Sequence, residues 1–358
     1  MRPLAVVLSL LIAVGASAFQ SDDVLRDAAA AYTAGDNAAA IKLYRQFLSD
    51  HPYAAEIRSN LGAALARDGR FSEAIEEYRA ALSSLPNNTR VRMNLALAYY
   101  KLGQLGDAMR ELGIVREQQP LETQPALLLA DCLLQSGDAK KAADALAPIQ
   151  EEYPEDRAIA YMLGVALLKQ NRTQEAQAQL DRILRGGESA ESEYLMGQTE
   201  FLNQNLAAAE KHMARTIALN PNLAGAHSLY GQVLRSLAKL DAATEQFQGE
   251  LKTNPYDFIG NVETAMLLKE DGKLDEALRL FERALQVRPA DPGARNQKAL
   301  IYLTQGKTEE ARKELEQLVR DYPDFAEAHA ALATAYYRLK RTAEGDRERD
   351  LARGAQKK

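Results

Sequence analysis

The sequence predicts an all-α protein built as a linear array of repeated helix pairs. Three recurrences carry this reading. Alanines stand at Ala40, Ala74, Ala108, Ala142, Ala176, Ala209, Ala243, Ala277 and Ala311, spaced by 34 residues except for 33 between Ala176 and Ala209. Prolines keep the same phase twelve residues on, at Pro52, Pro86, Pro120, Pro154, Pro221, Pro255, Pro289 and Pro323, with Glu188 the one replacement. A small residue precedes each alanine by twelve positions, at Ala28, Gly62, Ala96, Ala130, Gly164, Gly197, Gly231, Ala265 and Ala299, and Ala333 opens a tenth repeat. A fixed period of this length marks stacked units, none of which buries its apolar face alone.

The first element in order is an address rather than part of the array. Arg2 supplies a short positive start, Leu4 to Val14 is apolar except for Ser9, and Ala16-Ser17-Ala18 has the small-x-small form of a cleavage site. An apolar core of 11 residues is too short for a stable membrane anchor. Residues 1–18 are therefore expected to be a secretory signal peptide, with a mature chain starting at Phe19. No later stretch is long and apolar enough to predict stable membrane insertion after cleavage. The expected location is exported: periplasmic in a Gram-negative bacterium, otherwise secreted.

Each repeat then reads as two helices of about a dozen residues. With the alanine taken as position 20 of 34, the turn falls at position 15, occupied by Gly35, Gly69, Gly103, Gly137, Gly272 or Gly306. Glycine suits the left-handed residue that ends a helix. Small residues at positions 8 and 20 let two helix backbones approach, and position 24 (Tyr44, Tyr78, Leu112, Leu146, Leu180, Met213, Phe247, Phe281, Leu315) fills the space between. Proline at position 32 stops the second helix. The organisation expected is a signal peptide over 1–18, five repeats over 19–188, four repeats and the first helix of a tenth over 189–341, and a polar cap helix over 342–358. The 33-residue spacing coincides with Gly186-Gly187-Glu188-Ser189; a hinge and a shorter turn both fit, and the shorter turn is preferred.

This pattern resembles the tetratricopeptide repeat family. Its expected residues at positions 8, 11, 20, 24 and 32 are Gly62, Leu65, Ala74, Tyr78 and Pro86 in the second repeat, and Ala265, Leu268, Ala277, Phe281 and Pro289 in the eighth. The resemblance covers residues 22–358 and implies a right-handed superhelical solenoid of about ten helix-turn-helix repeats. Position 4, often tryptophan in the family, never is here, because the chain contains no tryptophan.

Chemistry is sought without result. The charged fraction of 26% and apolar fraction of 46% exclude wholesale disorder. The single cysteine, Cys132, excludes an intramolecular disulfide and a cysteine-based zinc or iron–sulfur site. A net charge of -6 argues against nucleic acid, which needs a basic face. His51, His212, His227 and His329 show no metal-binding helix spacing and read as structural. Gly306-Lys307-Thr308 mimics the end of a phosphate loop but has Ile301 where the leading glycine belongs. The sequence therefore predicts no catalytic residues, no cofactor and no metal, and hence no enzyme.

Binding remains. Positions 2, 5, 9 and 12 of the first helices form one helical stripe, and the resemblance implies that this stripe lines a concave groove. In the central repeats it contains Arg90, Met93, Leu97 and Tyr100, then Gln124, Leu127, Asp131 and Leu134, then Ala158, Tyr161, Val165 and Leu168, then Glu191, Tyr194, Gln198 and Phe201. Lys101 and Lys169, at position 13, edge it with positive charge. An exposed apolar stripe marks an interaction surface, so the expected partner is a protein or peptide segment. The competing expectation is that a tightly wound array covers part of the stripe with its own neighbours. The family's grip on chaperone tails uses Lys at position 5 and Asn at position 9; position 9 is never Asn here, which argues against it. The function expected is an exported, non-catalytic interaction scaffold or adaptor. A polysaccharide or small ligand in the groove is the alternative, and the sequence sets no oligomeric state.

Overall fold

The computed structural model describes residues 23–355, all helix and tight turn, with no strand among the described residues. The expected signal peptide over 1–18 lies outside them. The chain forms two compact units, residues 23–132 and 133–355, with the boundary inside one helix. In the first unit, α1 (residues 23–34) pairs with α2 (Asn37–Asp50), α3 (Ala55–Arg67) with α4 (Phe71–Ser84), and α5 (Thr89–Lys101) with α6 (Leu105–Gln118). α7 (Thr123–Gln135) carries the boundary.

The second unit continues with α8 (Ala139–Glu152), then the pairs α9 (Arg157–Leu168) with α10 (Thr173–Leu184) and α11 (Ala190–Leu202) with α12 (Leu206–Leu219). α13 (Ala226–Ser236) pairs with α14 (Leu240–Thr253), and α15 (Phe258–Glu270) with α16 (Leu274–Val287). α17 (Pro292–Thr304) with α18 (Thr308–Asp321) and α19 (Ala326–Arg338) with α20 (Thr342–Ala355) complete it. The second helices α2, α4, α8, α10, α12, α14, α16 and α18 each pack on the first helix of the next pair. The fold is an all-α helical repeat solenoid.

The turn at position 15 is left-handed throughout. Gly35, Gly69, Gly103, Gly137, Gly272 and Gly306 have φ between 67° and 93° with Gly103 and Gly137 at the extremes. Where the glycine is missing the backbone keeps the same form at Asn171 (φ 58°), Gln204 (61°), Ala238 (58°) and Lys340 (60°). The next residue closes the turn by donating its N–H to the carbonyl five residues back, as from Arg70 to Leu65 and from Lys239 to Leu234, each at 2.9 Å. The closing bond holds even a residue with a Cβ in this region, at a steric cost of about 1 kcal/mol.

Helix pairs close over positions 8, 20 and 24. Ala40, Ala74, Ala108, Ala142, Ala209, Ala277 and Ala311 are fully buried, as are Tyr78, Phe247 and Phe281. A Cβ added at Gly231 would stand 2.5 Å from the Phe247 ring, and one at Gly62 2.7 Å from Tyr78. At the C-terminal end, Tyr337 covers Gly345 and donates its hydroxyl to Asp346 at 2.9 Å. Arg349, at the vacated position 24, pairs with Asp346 in solvent. The 33-residue spacing is a shortened second helix: α10 has 12 residues where the other second helices have 14. The Gly187 backbone (φ 90°) reverses the chain. Ser189 and Ser192 then form a reciprocal capping box that starts α11, so no proline is needed there.

A polar latch joins consecutive repeats at position 4. Arg58 donates to the Pro52 carbonyl at 2.9 Å and to Glu77 at 2.7 Å. Arg92 does the same with Pro86 at 2.7 Å and Glu111 at 2.6 Å. His227 reaches the Pro221 carbonyl at 3.0 Å and Gln246 at 2.7 Å, and His329 reaches Pro323 at 3.0 Å and Glu348 at 2.6 Å. Asn261 holds the Pro255 carbonyl at 2.9 Å. In the repeat that lacks the preceding proline, position 4 is instead Glu193, which bonds His212 at 2.8 Å. The latch captures the proline carbonyl in the turn between repeats and ties it to the second helix of the next pair.

Two buried carboxylates hold the junctions around α13 to α15. Glu250 is 1% exposed and accepts from the Gly225 N–H at 3.0 Å. Asp257 caps α15 through the Gly260 N–H at 2.6 Å and accepts from the Ser228 hydroxyl at 2.5 Å. Burial, reinforced by repulsion from Asp257, pushes Glu250 up to about 7; burial also raises Asp257.

These features make three predictions. Ala238→Gly relieves a left-handed alanine and raises stability by about 1 kcal/mol, read as a higher denaturant midpoint; an unchanged midpoint would place no strain there. Arg92→Met leaves Glu111 buried without its partner and costs about 3 kcal/mol, whereas Arg92→Met with Glu111→Met recovers most of that loss. Equal losses in the single and double variants would count against the latch. The third concerns pH. Glu250 binds its proton more tightly folded than unfolded, so its contribution is complete below the ordinary carboxylate value and is lost as pH rises through about 7. Glu250→Gln therefore gains on the wild type by about 1–3 kcal/mol between pH 5 and pH 8, measured by denaturation at both; a constant difference would contradict it.

Candidate functional site

The stripe expected at positions 2, 5, 9 and 12 divides between the two units. In the first unit it lies largely open. Leu97 is 42% exposed, Arg90 and Lys101 are exposed, and Met93, Tyr100 and Leu127 are half-buried. The Lys101 ammonium stands 5.8 Å from the centre of the Tyr100 ring, and the Tyr100 hydroxyl donates to Asp131 at 2.5 Å. That bond fixes the aromatic ring on α5 from α7, leaving an apolar patch edged by two basic groups.

In the second unit the same stripe is mostly covered. Leu134, Val165, Leu168 and Tyr194 are buried, Leu168 to 1%, while Tyr161 and Phe201 are half-buried. The rings of Tyr161 and Tyr194 meet edge to face at 5.7 Å. For Val165, Leu168 and Tyr194 the reason is direct contact between consecutive first helices, α9 with α11 and α11 with α13. An exposed stripe is therefore the wrong expectation for the four buried residues, which serve as packing between repeats.

Lys169, one residue past Leu168, remains open to solvent by more than a third of its surface. Loss of surrounding water and repulsion from Arg288 nevertheless push its ammonium down, with Asp257 opposing. Arg288, on the far edge of the same unit, donates its Nε to the Gln135 carbonyl at 2.6 Å across 153 residues. Its guanidinium lies 4.1 Å from the centre of the Phe258 ring. Burial pushes it down, while Asp291 and Asp257 act the other way. Arg288 sits just before Pro289, off the helical stripe, and no periodic signal could have placed it beside Lys169.

The remaining candidates for chemistry are structural. The Cys132 thiol is buried and pushed up, away from the thiolate. His212, His227 and His329 belong to contacts between helices, and His51 stacks on Phe47 at 4.3 Å. Among the described residues no group of three or more His, Cys, Asp or Glu side chains is arranged to hold a metal ion. No described helix is long and apolar enough to cross a membrane.

Among known proteins, the tetratricopeptide repeat family matches residues 25–89, 65–132, 133–199 and 268–344. The crystal structure of the APC/C hetero-tetramer Cut9-Hcn1 is similar, with a TM-score of 0.58, 15% identity, and coverage of 94% of this chain and 73% of that one. The crystal structure of yeast Tom70 aligns over 94% of this chain and 96% of that chain at 15% identity, with a TM-score of 0.36. No curated protein matches the sequence. With the period, the turns and the family matches in agreement over most of its length, the chain belongs to the tetratricopeptide repeat family of protein-interaction scaffolds.

Proposed function

We propose that this protein is an exported, non-catalytic adaptor that holds a segment of a partner protein on the inner stripe of its first helices. The observation that carries the reading is the open patch of the first unit, where Met93, Leu97 and the fixed ring of Tyr100 lie between Arg90 and Lys101. Water contact at a large leucine costs free energy that a bound apolar side chain recovers. An aromatic ring already held in place gives contact area with little loss of freedom on binding. Tyr161 and Phe201 extend the same stripe separately in the second unit. Export rests on residues 1–18, and the proposed compartment is the periplasm of a Gram-negative cell or the medium outside another.

Photo-crosslinking tests the binding face. A photoreactive residue at Leu97 or Phe201 should trap discrete partners in the native cell envelope or medium, while one at Glu76 or Glu282, exposed on second helices, should not. Leu97→Asp should weaken capture by about tenfold or more with helicity intact. Equal trapping from both sets of positions, or capture indifferent to Leu97→Asp, would remove the stripe as the binding face. Export is read separately from intact mass, which should begin at Phe19; an exported chain still starting at Met1 would contradict the signal peptide.

A further inference from the structure

The second unit carries two cations, Arg288 and Lys169, that form no ion pair among the described residues, although Asp257 favours the charge of both. Arg288 is immobilised by its Nε bond to Gln135 and by the Phe258 ring beneath it. Its two terminal nitrogens have no acceptor among the described residues. The Lys169 ammonium has no hydrogen-bond or ion-pair partner among the described residues, although the Arg288 charge is near enough to repel it.

The nearby acids are already committed. Asp257 accepts from Ser228 and Gly260, and Asp291 accepts from the Ala294 N–H at 2.8 Å as the cap of α17. Glu250 accepts from Gly225 and is held largely protonated at acid pH. None of the three forms an ion pair with Lys169 or Arg288. What remains is a planar guanidinium fork with a fixed orientation and a mobile ammonium beside it. That is the geometry that receives a carboxylate, two parallel bonds from the fork and one from the lysine.

We propose that Arg288 and Lys169 hold an aspartate or glutamate side chain of a partner protein, in an acidic segment that also carries an apolar residue for the neighbouring Tyr161. This rests on the adaptor reading and adds to it the charge of the partner. The overall charge of -6 disfavours an extended polyanion such as nucleic acid, whose many phosphates would meet repulsion beyond this one positive point. A short acidic segment within an otherwise weakly charged chain meets only the local pair. The site differs from the chaperone-tail arrangement, since Lys169 occupies position 13 and Arg288 the end of a second helix.

The test uses the whole mature chain and a displayed library of random peptides. Retained peptides should be enriched in Asp or Glu next to an aromatic or aliphatic residue. Lys169→Gln should weaken a retained acidic peptide by about tenfold or more and leave its Asp→Asn or Glu→Gln counterpart unchanged. The same substitution should leave the melting temperature unaltered or raise it, because it removes a repelled and unpaired charge. Arg288→Lys, which keeps the charge and loses the fork, should weaken the acidic peptide as well. The carboxylate site is overturned if retained peptides show no acidic enrichment, or if Lys169→Gln weakens acidic and neutral peptides equally. It is also overturned if single-stranded DNA or inorganic phosphate competes as well as the peptide does. In those cases binding that still depends on Leu97 or Tyr161 leaves the adaptor reading standing. If the chain retains no peptide at all, both readings fail together.

Discussion

The proline carbonyl in the turn after a second helix is the point through which five of the junctions between repeats are tied. Proline stops the helix, and its own carbonyl lies past the C-cap, outside the helix hydrogen-bond ladder, where a side chain of the next repeat reaches it. Arg58, Arg92, His227, Asn261 and His329 each reach back six residues to the carbonyl of that proline. All but Asn261 then extend to a polar side chain on the second helix of their own pair. One side chain thereby sets the junction between repeats and the angle within the next pair. The family often places tryptophan at this position. Here hydrogen bonds do the same joining, so the chain builds a solenoid with no tryptophan.

Size complementarity supplies the rest of the core. Glycine at position 8 stands beneath Tyr78 and Phe247, where a single added carbon would collide with the ring. Nonpolar area is buried between neighbours only, so each interface is small and every repeat depends on the next one. The last repeat escapes this dependence by turning Tyr337 onto Gly345 and filling the outer face of α20 with charge. Glycine at position 20 of this repeat is the seat of that ring.

The candidate binding residues separate according to whether their placement is local. Arg90, Met93, Leu97, Tyr100 and Lys101 lie on one helix, so the 3.6-residue period alone collects them on one face. Leu134, Val165, Leu168 and Tyr194 obey the same period and are nevertheless buried, the last three because neighbouring first helices press on that face in the second unit. Periodicity sets the direction of a side chain from its own helix but does not report how closely the next helix stands. Arg288 lies outside any such pattern: its partner Gln135 is 153 residues away, and only the accumulated rotation of several repeats brings them together.

By itself the sequence determined the repeat length, the helix pairs, the turns and the packing positions, since each of these is a contact within about 34 residues that recurs in register. It placed the left-handed turn at the six position-15 glycines; the structure added that Asn171, Gln204, Ala238 and Lys340 turn the same way, because the closing hydrogen bond is backbone chemistry common to all ten repeats. The tertiary structure alone decided how much of the inner stripe stays open, which polar groups latch one repeat to another, and where Lys169 meets Arg288. Those outcomes depend on small angles between successive helix pairs. Such angles sum along the stack, so their effect appears only at a distance that no local pattern spans.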